Sequence, residues 1–566
     1  MFDGDKQVHQ QTLKIDDNII EINDLKIAHK YTYRVDVKYD EFTEEGIIEK
    51  TLLEEEIQTN NPFVINVIDE LENEIQLNIA KLYDDVQFKS LEVYKGSELI
   101  QTHTTKVDLI KNLESGVEYN LVINFTYVLN GETLTQSQSK LVKTFKLEYY
   151  SIIRDGREVI DPGSGKIVKV PTYKRQNEEV RAIWFSTVSN IDIPTINHFG
   201  TVERYKEYII SSFDSIKEAK FNTIFFQIRP MNDAFYPSEL APWSRYVGGR
   251  GEGYDPGFDL LRFVIDEAHK RELELHGWLN PYRVASNPGI LETAAPNNFA
   301  KLNPDLVLTD KNGASILDPG QERVQVYIRD VIKEIVNNYP DINGIHFDDY
   351  FYLSSFGEKS DAPDYQTYLD NRESSSQTIA DFRRASVTKV IKGIYEDVEA
   401  FNQKNNVHIR FGVSPSGIWA NKGSHPDGSN TKGMQHYSAL YADTRLWIKK
   451  GYIHYIIPQI YWDFRLSAAP FATLVDWWAD VVQGTDVDLI IGQGLYRYRD
   501  TPWVPREIPE QLQYIQTRPE IAGVSFFTYK DIVALTPARL VEAMNMIKNE
   551  YWTKEAKLPW ETNIYK

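Results

Sequence analysis

Eight short apolar runs recur from about Glu179 to the C-terminus, with amphipathic stretches between them, and this alternation constrains the fold more than anything else in the chain. The runs lie at 181–188, 223–229, 273–280, 344–351, 409–415, 455–463, 489–495 and 524–529. Segments such as 205–219 and 324–337 carry apolar residues at helical spacing between them. Strands alternating with helices make a parallel sheet. Eight of them over about 390 residues predict a closed (β/α)8 TIM barrel with long loops after the strands. A doubly wound open sheet is the alternative, but no glycine-rich phosphate loop follows any of the runs.

The first 150 residues have a different character. They alternate apolar and polar residues, are rich in Val, Ile, Thr and Tyr, and read as an all-β region. They also repeat. Leu25, Tyr31, Val35, Val37 and Tyr39 recur as Leu113, Tyr119, Ile123, Phe125 and Tyr127, at a constant offset of 88. The Leu-to-Tyr step followed by alternating apolar residues resembles the tyrosine corner of a fibronectin type III sandwich. Asn130-Gly131 reads as a hairpin turn.

The domain expectation is therefore a partial fibronectin type III-like domain at 1–60, a complete one at 61–150, a linker at 151–178 and the barrel at 179–566. The linker reading rests on Asp161-Pro-Gly-Ser-Gly. The first copy has 24 residues ahead of Leu25, too few for its two leading strands, so Met1 is expected to lie inside a longer protein with a signal peptide upstream. An extracellular or cell-envelope location follows from that expectation.

Bulk properties narrow the chemistry. The net charge of -20 disfavours nucleic acid, which needs clustered Lys and Arg. No apolar run reaches membrane-spanning length. The absence of Cys removes disulfides, thiolate metal sites and a Cys nucleophile. No cofactor or metal is expected. The first run reads Ile183-Trp-Phe-Ser-Thr, without the paired histidines of a metal amidohydrolase, and His276 with His346 lacks an evident third ligand. No serine elbow and no strand-end lysine is present.

In a barrel the active site gathers at the C-terminal ends of the strands, and alternate residues face the same way. His346 and Asp348 should point inward, opposite Ile345 and Phe347. Gln459, Tyr461 and Asp463 share a parity opposite Ile460 and Trp462. His276, Trp278 and Asn280 oppose Leu275 and Leu279, and Gln227 and Arg229 oppose Phe226 and Ile228. Gln493 in the seventh run joins the inward set. Carboxylates at the fourth and sixth runs amid polar and aromatic residues suit glycoside hydrolysis, which needs one carboxyl as acid and a second as nucleophile, base or orienting group. A strand-end carboxylate can instead cap a helix or pair with an arginine.

Several motifs carry a family resemblance. They are Asn222-Thr-Ile-Phe-Phe-Gln-Ile-Arg-Pro, Asn232-Asp-Ala-Phe-Tyr, Pro242-Trp-Ser, Ala268-His-Lys-Arg, Leu275-His-Gly-Trp-Leu-Asn-Pro-Tyr-Arg, Gly344-Ile-His-Phe-Asp-Asp-Tyr, Gly412-Val-Ser-Pro-Ser-Gly-Ile-Trp, Tyr441-Ala-Asp-Thr-Arg and Pro458-Gln-Ile-Tyr-Trp. Together they resemble glycosyl-hydrolase-like family 10 across the whole barrel, about two thirds of the chain. The resemblance implies an exported TIM-barrel glycoside hydrolase. Some relatives cleave peptidoglycan strands stripped of peptides, and a polysaccharide or oligosaccharide containing N-acetylhexosamine is the implied substrate. Asp348 matches the nucleophile position of α-amylase-type enzymes. The pair Asp348-Asp349 is similar to the adjacent carboxylates of hexosaminidases that use the substrate's acetamido group. In chitinases the acid would fall at Tyr350, and here the chain departs from the pattern. The expected catalytic residues are thus Asp348 with Asp349 or Asp463. The expected substrate-binding residues are Gln227, Arg229, Asp233, His276, Trp278, Asn280, Tyr282, His346, Trp419, Gln459, Tyr461, Trp462 and Gln493. The rival class is a non-catalytic carbohydrate-binding protein that uses the same cleft.

Overall fold

The computed structural model describes residues 1–12, 21–40 and 47–560, and the chain divides into two compact units, Met1–Glu148 and Tyr149–Lys566. In the first unit, Phe63–Glu70, Ile75–Lys81 and Leu109–Ile110 form a three-stranded antiparallel sheet. Glu132–Lys143, Glu118–Leu129, Gln87–Lys95 and Glu98–His103 form a four-stranded one in that order. Strict alternation along Glu118–Leu129 sends Tyr119, Leu121, Ile123, Phe125 and Tyr127 into one core with Ile75, Leu77 and Ile79. Asn130 and Gly131 both have positive φ, 51° and 82°, and join strands in register at Leu129 and Glu132, as a two-residue hairpin requires.

The offset of 88 has a physical counterpart. The Tyr119 hydroxyl accepts the Glu114 amide at 2.8 Å, and the Tyr31 hydroxyl accepts the Lys26 amide at 2.8 Å. Residues up to Asn60 hold one sheet, in the order Lys6–Gln7, Phe2–Asp3, Lys30–Asp40, Ile47–Gln58. No second sheet occurs among the described residues of that stretch, of which 13–20 and 41–46 are not part.

The second unit is a closed parallel barrel of eight strands: β1 (Val180–Phe185), β2 (Thr223–Arg229), β3 (Glu274–Leu279), β4 (Gly344–Phe347), β5 (Arg410–Val413), β6 (Tyr455–Ile456), β7 (Asp488–Gly494) and β8 (Ile521–Phe527). Strand β1 pairs with both β2 and β8 and so closes the ring. The strands are apolar on both faces because both are covered, and all seven residues of β2 are buried. One face meets the surrounding helices. Helix Val202–Glu218 begins at Thr201, whose side chain caps the Arg204 amide, and buries Tyr205, Ile209, Phe213 and Ile216 along one stripe. The other face fills the barrel with Val180, Ala182, Trp184, Phe225, Trp278, Tyr455, Ile457 and Ile490. Leu558 joins this inner cluster, and the Trp560 indole donates to Glu274 at 2.8 Å, so the C-terminal segment closes the floor. No helix among the described residues is long and apolar enough to cross a membrane.

The segment read as a linker, 151–178, is instead built into the second unit. Ile152, Val159, Val168 and Val170 are buried in the core shared with the barrel helices. Arg154 is buried between Glu507 and Glu510, at 2.8 and 2.5 Å. The Pro/Gly run that suggested a connector forms only a tight turn, where Asp161 accepts the Ser164 amide at 2.8 Å.

Candidate active site

Strand β4 positions the central carboxylate. Ile345 and Phe347 are buried against the helix layer, while His346 faces the interior rings of Phe225 and Tyr455. The next inward position is Asp348. Its amide still bonds the Leu279 carbonyl at 3.2 Å, so the side chain emerges just above the last barrel layer, buried at 8% exposure. Gln459 lies beyond the short β6, yet backbone bridges to Ser416 and Gly492 hold it on the same line. Its amide nitrogen donates to Asp348 Oδ1 at 3.2 Å and to the Ser414 carbonyl at 2.8 Å.

Regular pairing in β4 stops at Phe347, which frees Asp349 from alternation. The Asp349 amide donates to Asp348 Oδ1 at 2.9 Å, which brings the two carboxyls together. Burial raises both groups. Asp349 is pushed well above the carboxylate range, by burial and then by the charge of Asp348. The Asp349 amide and Gln459 act in the opposite direction on Asp348. The two titrate as a pair, and the second proton is harder to lose than the first because like charges this close repel.

Around the pair lie Arg283 and Tyr350, which the sequence left unassigned, and Tyr461, which it expected there. The Arg283 guanidinium sits 4.5 Å from the centre of the Tyr350 ring. Tyr350 is 41% exposed, and burial with the nearby carboxylates pushes its hydroxyl up to about 12. Tyr461 stacks on Phe527 at 6.2 Å and meets Tyr496 edge-on at 5.9 Å. A cavity of about 310 Å³ opens beside Asp349 and Tyr350, lined by Arg283, Ser286, Ile316, Leu353 and Met434 among others. A larger groove, about 760 Å³, runs outside the barrel along helix Ile379–Asn405 and contains no strand-end residue.

Several expected site residues are placed elsewhere. His276 and His346 are inward but too deep. The His346 Nε2 atom lies 3.3 Å from the Trp184 indole and 3.0 Å from Ser414 Oγ. Its Nδ1 atom lies 3.3 Å from the Tyr455 hydroxyl, which is 2.9 Å from His276 Nδ1, and His276 Nε2 is 3.1 Å from Glu274. Burial pushes both histidines down, so they are neutral links in the barrel core. Trp278 fills the same core and donates to Asn280, which in turn binds the Pro230 carbonyl.

Gln227 is spent on the loop after β1, accepting the Thr187 and Val188 amides at 3.0 and 2.8 Å. A bulge between Gln227 and Arg229 breaks the alternation. Arg229 then reaches Tyr327 at 3.1 Å, and Asp233 accepts the Met231 amide at 3.1 Å. Gln493 is buried against Gln511 at 2.8 Å. Trp419 is buried, donates to Asp443 at 3.1 Å and stacks on Trp477. Tyr282 is buried below Phe351.

Trp462 turns to the outer side, where its ring packs so closely on Gly417 that a Cβ there would stand 2.8 Å away. Asp463 accepts the Arg465 amide at 2.8 Å and the Trp503 indole at 3.1 Å, so its carboxylate fixes a loop and touches neither Asp348 nor Asp349. Asp348, Asp349, Gln459 and Tyr461 are the expected residues that do converge. No cluster of three His, Cys, Asp or Glu side chains is placed to hold a metal ion among the described residues.

A closed parallel barrel with carboxyls at the end of its fourth strand is the architecture of TIM-barrel glycoside hydrolases, and this chain falls in that class. Residues 179–504 match the family described as glycosyl hydrolase-like 10. The glycosyl hydrolase YngK of Bacillus subtilis (strain 168) is 36% identical over 407 residues, covering 70% of this chain and 77% of the relative. The glycosyl hydrolase DigH of Escherichia coli (strain K12) is 35% identical over 381 residues, covering 63% and 84%. Among solved structures, the endo-1,4-beta-mannanase from Rhizomucor miehei is 12% identical and covers 63% of this chain and 88% of that chain, with a TM-score of 0.39. The chain belongs to the glycosyl hydrolase-like 10 family.

Proposed function

We propose that this glycoside hydrolase cleaves a bacterial wall or surface glycan containing N-acetylhexosamine, with peptide-free peptidoglycan strands first among the candidates. The observation that carries the reading is the placement of Asp348 and Asp349 side by side just past the end of β4, with the Asp349 amide donating to Asp348 Oδ1 at 2.9 Å. Two carboxyls in contact act from one side of the sugar, and Asp463 is held away by Trp503 and Arg465. The nucleophile is then the substrate's own 2-acetamido oxygen. Asp349 gives its proton to the glycosidic oxygen as the C1–O bond breaks and the acetamido oxygen bonds to C1. Asp348, held by Gln459, orients the acetamido N–H and stabilises the positive charge that develops there. Water then attacks C1 as the bond between C1 and the acetamido oxygen breaks and its electron pair returns to the acetamide, and the water proton passes to Asp349, releasing the reducing sugar. Such a substrate lies outside the cytoplasm, so the same reading has the protein act at the cell envelope or beyond, with its all-β first unit as a spacer or wall-proximal adaptor.

The test is mass spectrometry of products from peptide-free peptidoglycan strands and from the same strands after de-N-acetylation. Release from the first and loss of release from the second supports the reading. Equal release from both, or from neither, overturns it.

A further inference from the structure

We propose that Arg283 is the receptor for a carboxylate carried by the substrate, so that the cavity beside Asp349 takes an acidic sugar; this rests on the glycosidase reading above and specifies its substrate. Two sources share that chemistry, an ether-linked lactate on a hexosamine and the C6 carboxylate of a hexuronic acid.

Arg283 is the one cationic side chain lining the cavity of about 310 Å³. Several arginines of the barrel unit are matched to acids, Arg154 to Glu507 and Glu510, Arg181 to Glu179, Arg383 to Asp364, Arg410 to Asp488 and Arg518 to Asp480, while Arg229 is taken up by Tyr327 and Arg539 by backbone carbonyls. No such ion pair forms at Arg283 among the described residues, although Asp348 and Asp349 are near enough for their fields to interact with it.

Its guanidinium is held over the Tyr350 ring at 4.5 Å. That contact fixes a group with five N–H donors while leaving most of them unused. The backbone beneath is a strand, with a register shift between Arg283 and Ala285. Arg283–Ala285 pairs with Ser315–Leu317, so the charge stands on a sheet rather than on a free loop. The remaining walls are small or apolar, including Ala285, Ala314, Ile316 and Leu353. An oriented guanidinium without an acid, in a chain of net charge -20, is a fork for a bidentate carboxylate. It also offsets the repulsion that the anionic Asp348 would exert on an acidic substrate.

The experiment measures binding and turnover separately, with the full-length chain. Binding is read by calorimetry on the Asp349→Asn protein. The probes are peptide-free peptidoglycan oligosaccharides bearing free lactyl carboxylates, the same material with its carboxyls reduced to alcohols, neutral chitooligosaccharides and a hexosamine–hexuronate oligosaccharide. The carboxylated probe of the correct source should bind about tenfold or more tightly than its reduced form, and Arg283→Gln should erase that ratio. Arg283→Lys should restore part of it. Turnover of each substrate by the otherwise wild-type chain should show the same ratio, mainly in KM. Equal binding of carboxylated and reduced probes overturns the proposal. So does an Arg283→Gln protein that loses the same factor on every substrate, because Arg283 then acts on the carboxyl pair. Carboxylate-selective binding without turnover of any N-acetylated glycan would uphold the receptor and reject the glycosidase reading.

Discussion

The Asp349 amide donates to the Asp348 carboxylate at 2.9 Å, so two consecutive residues hold their carboxyls together and titrate as one unit. Activity that needs Asp349 protonated should be lost as pH rises through the raised value of the pair. Replacing Asp348 with Asn removes the neighbouring charge, so the alkaline limb of kcat should move to lower pH. A pH–rate profile of the residual activity measures this, and an unmoved limb would mean that the pair does not set it.

Asp463 shares the inward parity of Gln459 and Tyr461, yet its carboxylate is committed to Trp503 and the Arg465 amide. Asp463→Asn should keep turnover within a few-fold of wild type, whereas Asp349→Asn should lose about 100- to 10,000-fold, the usual range for a general acid. Steady-state kinetics of the two variants on one substrate separates them.

Asp318 is buried, accepts from Thr367 and the Gly320 amide, and is raised to about 6, chiefly by burial. A carboxyl raised in the folded state binds its proton more tightly there. Its stabilising protonation is complete below about pH 4 and is lost as pH climbs through 6. The associated change is on the order of 3 kcal/mol. Asp318→Asn should flatten the dependence of stability on pH between 4 and 7, read from denaturant midpoints across that window.

The Tyr455 hydroxyl lies 2.9 Å from His276 and 3.3 Å from His346. Tyr455→Phe keeps the ring but leaves two buried imidazole nitrogens without a partner, at a cost of about 1–3 kcal/mol. Equilibrium unfolding should show the loss while KM stays near wild type, because these histidines form the floor of the site.

Arg154 marks the segment before the barrel as structural. Arg154→Ala leaves Glu507 and Glu510 buried and unpaired, and should destabilise the barrel unit by about 3–5 kcal/mol. Urea denaturation followed by Trp fluorescence checks this; a free linker would show no change.

These contrasts show what the sequence could carry. Periodicity placed all eight strands, because a covered parallel strand must be apolar on both faces. Parity correctly turned His346 and Asp348 inward, but parity carries no depth. His276 and Trp278 lie mid-strand and fill barrel layers, while Asp348 and Gln459 lie past the strand ends where a ligand can reach. Arg229 was misplaced because a one-residue bulge is invisible to alternation. Asp349 joined the site because β4 stops one residue before Asp348, a boundary that no propensity fixes. Arg283 stood at the end of a recognised motif, and only the fold brought it over Tyr350. The buried Val and Ile of 151–178 were masked by the Pro/Gly turn among them.

The most direct test of the account is the turnover of Asp348→Asn on a glycan that the wild-type enzyme demonstrably cleaves, with folding checked by circular dichroism and glycan binding by calorimetry. Folding should be intact, binding near normal and the rate lower by orders of magnitude. A near wild-type rate from the folded variant would contradict the account.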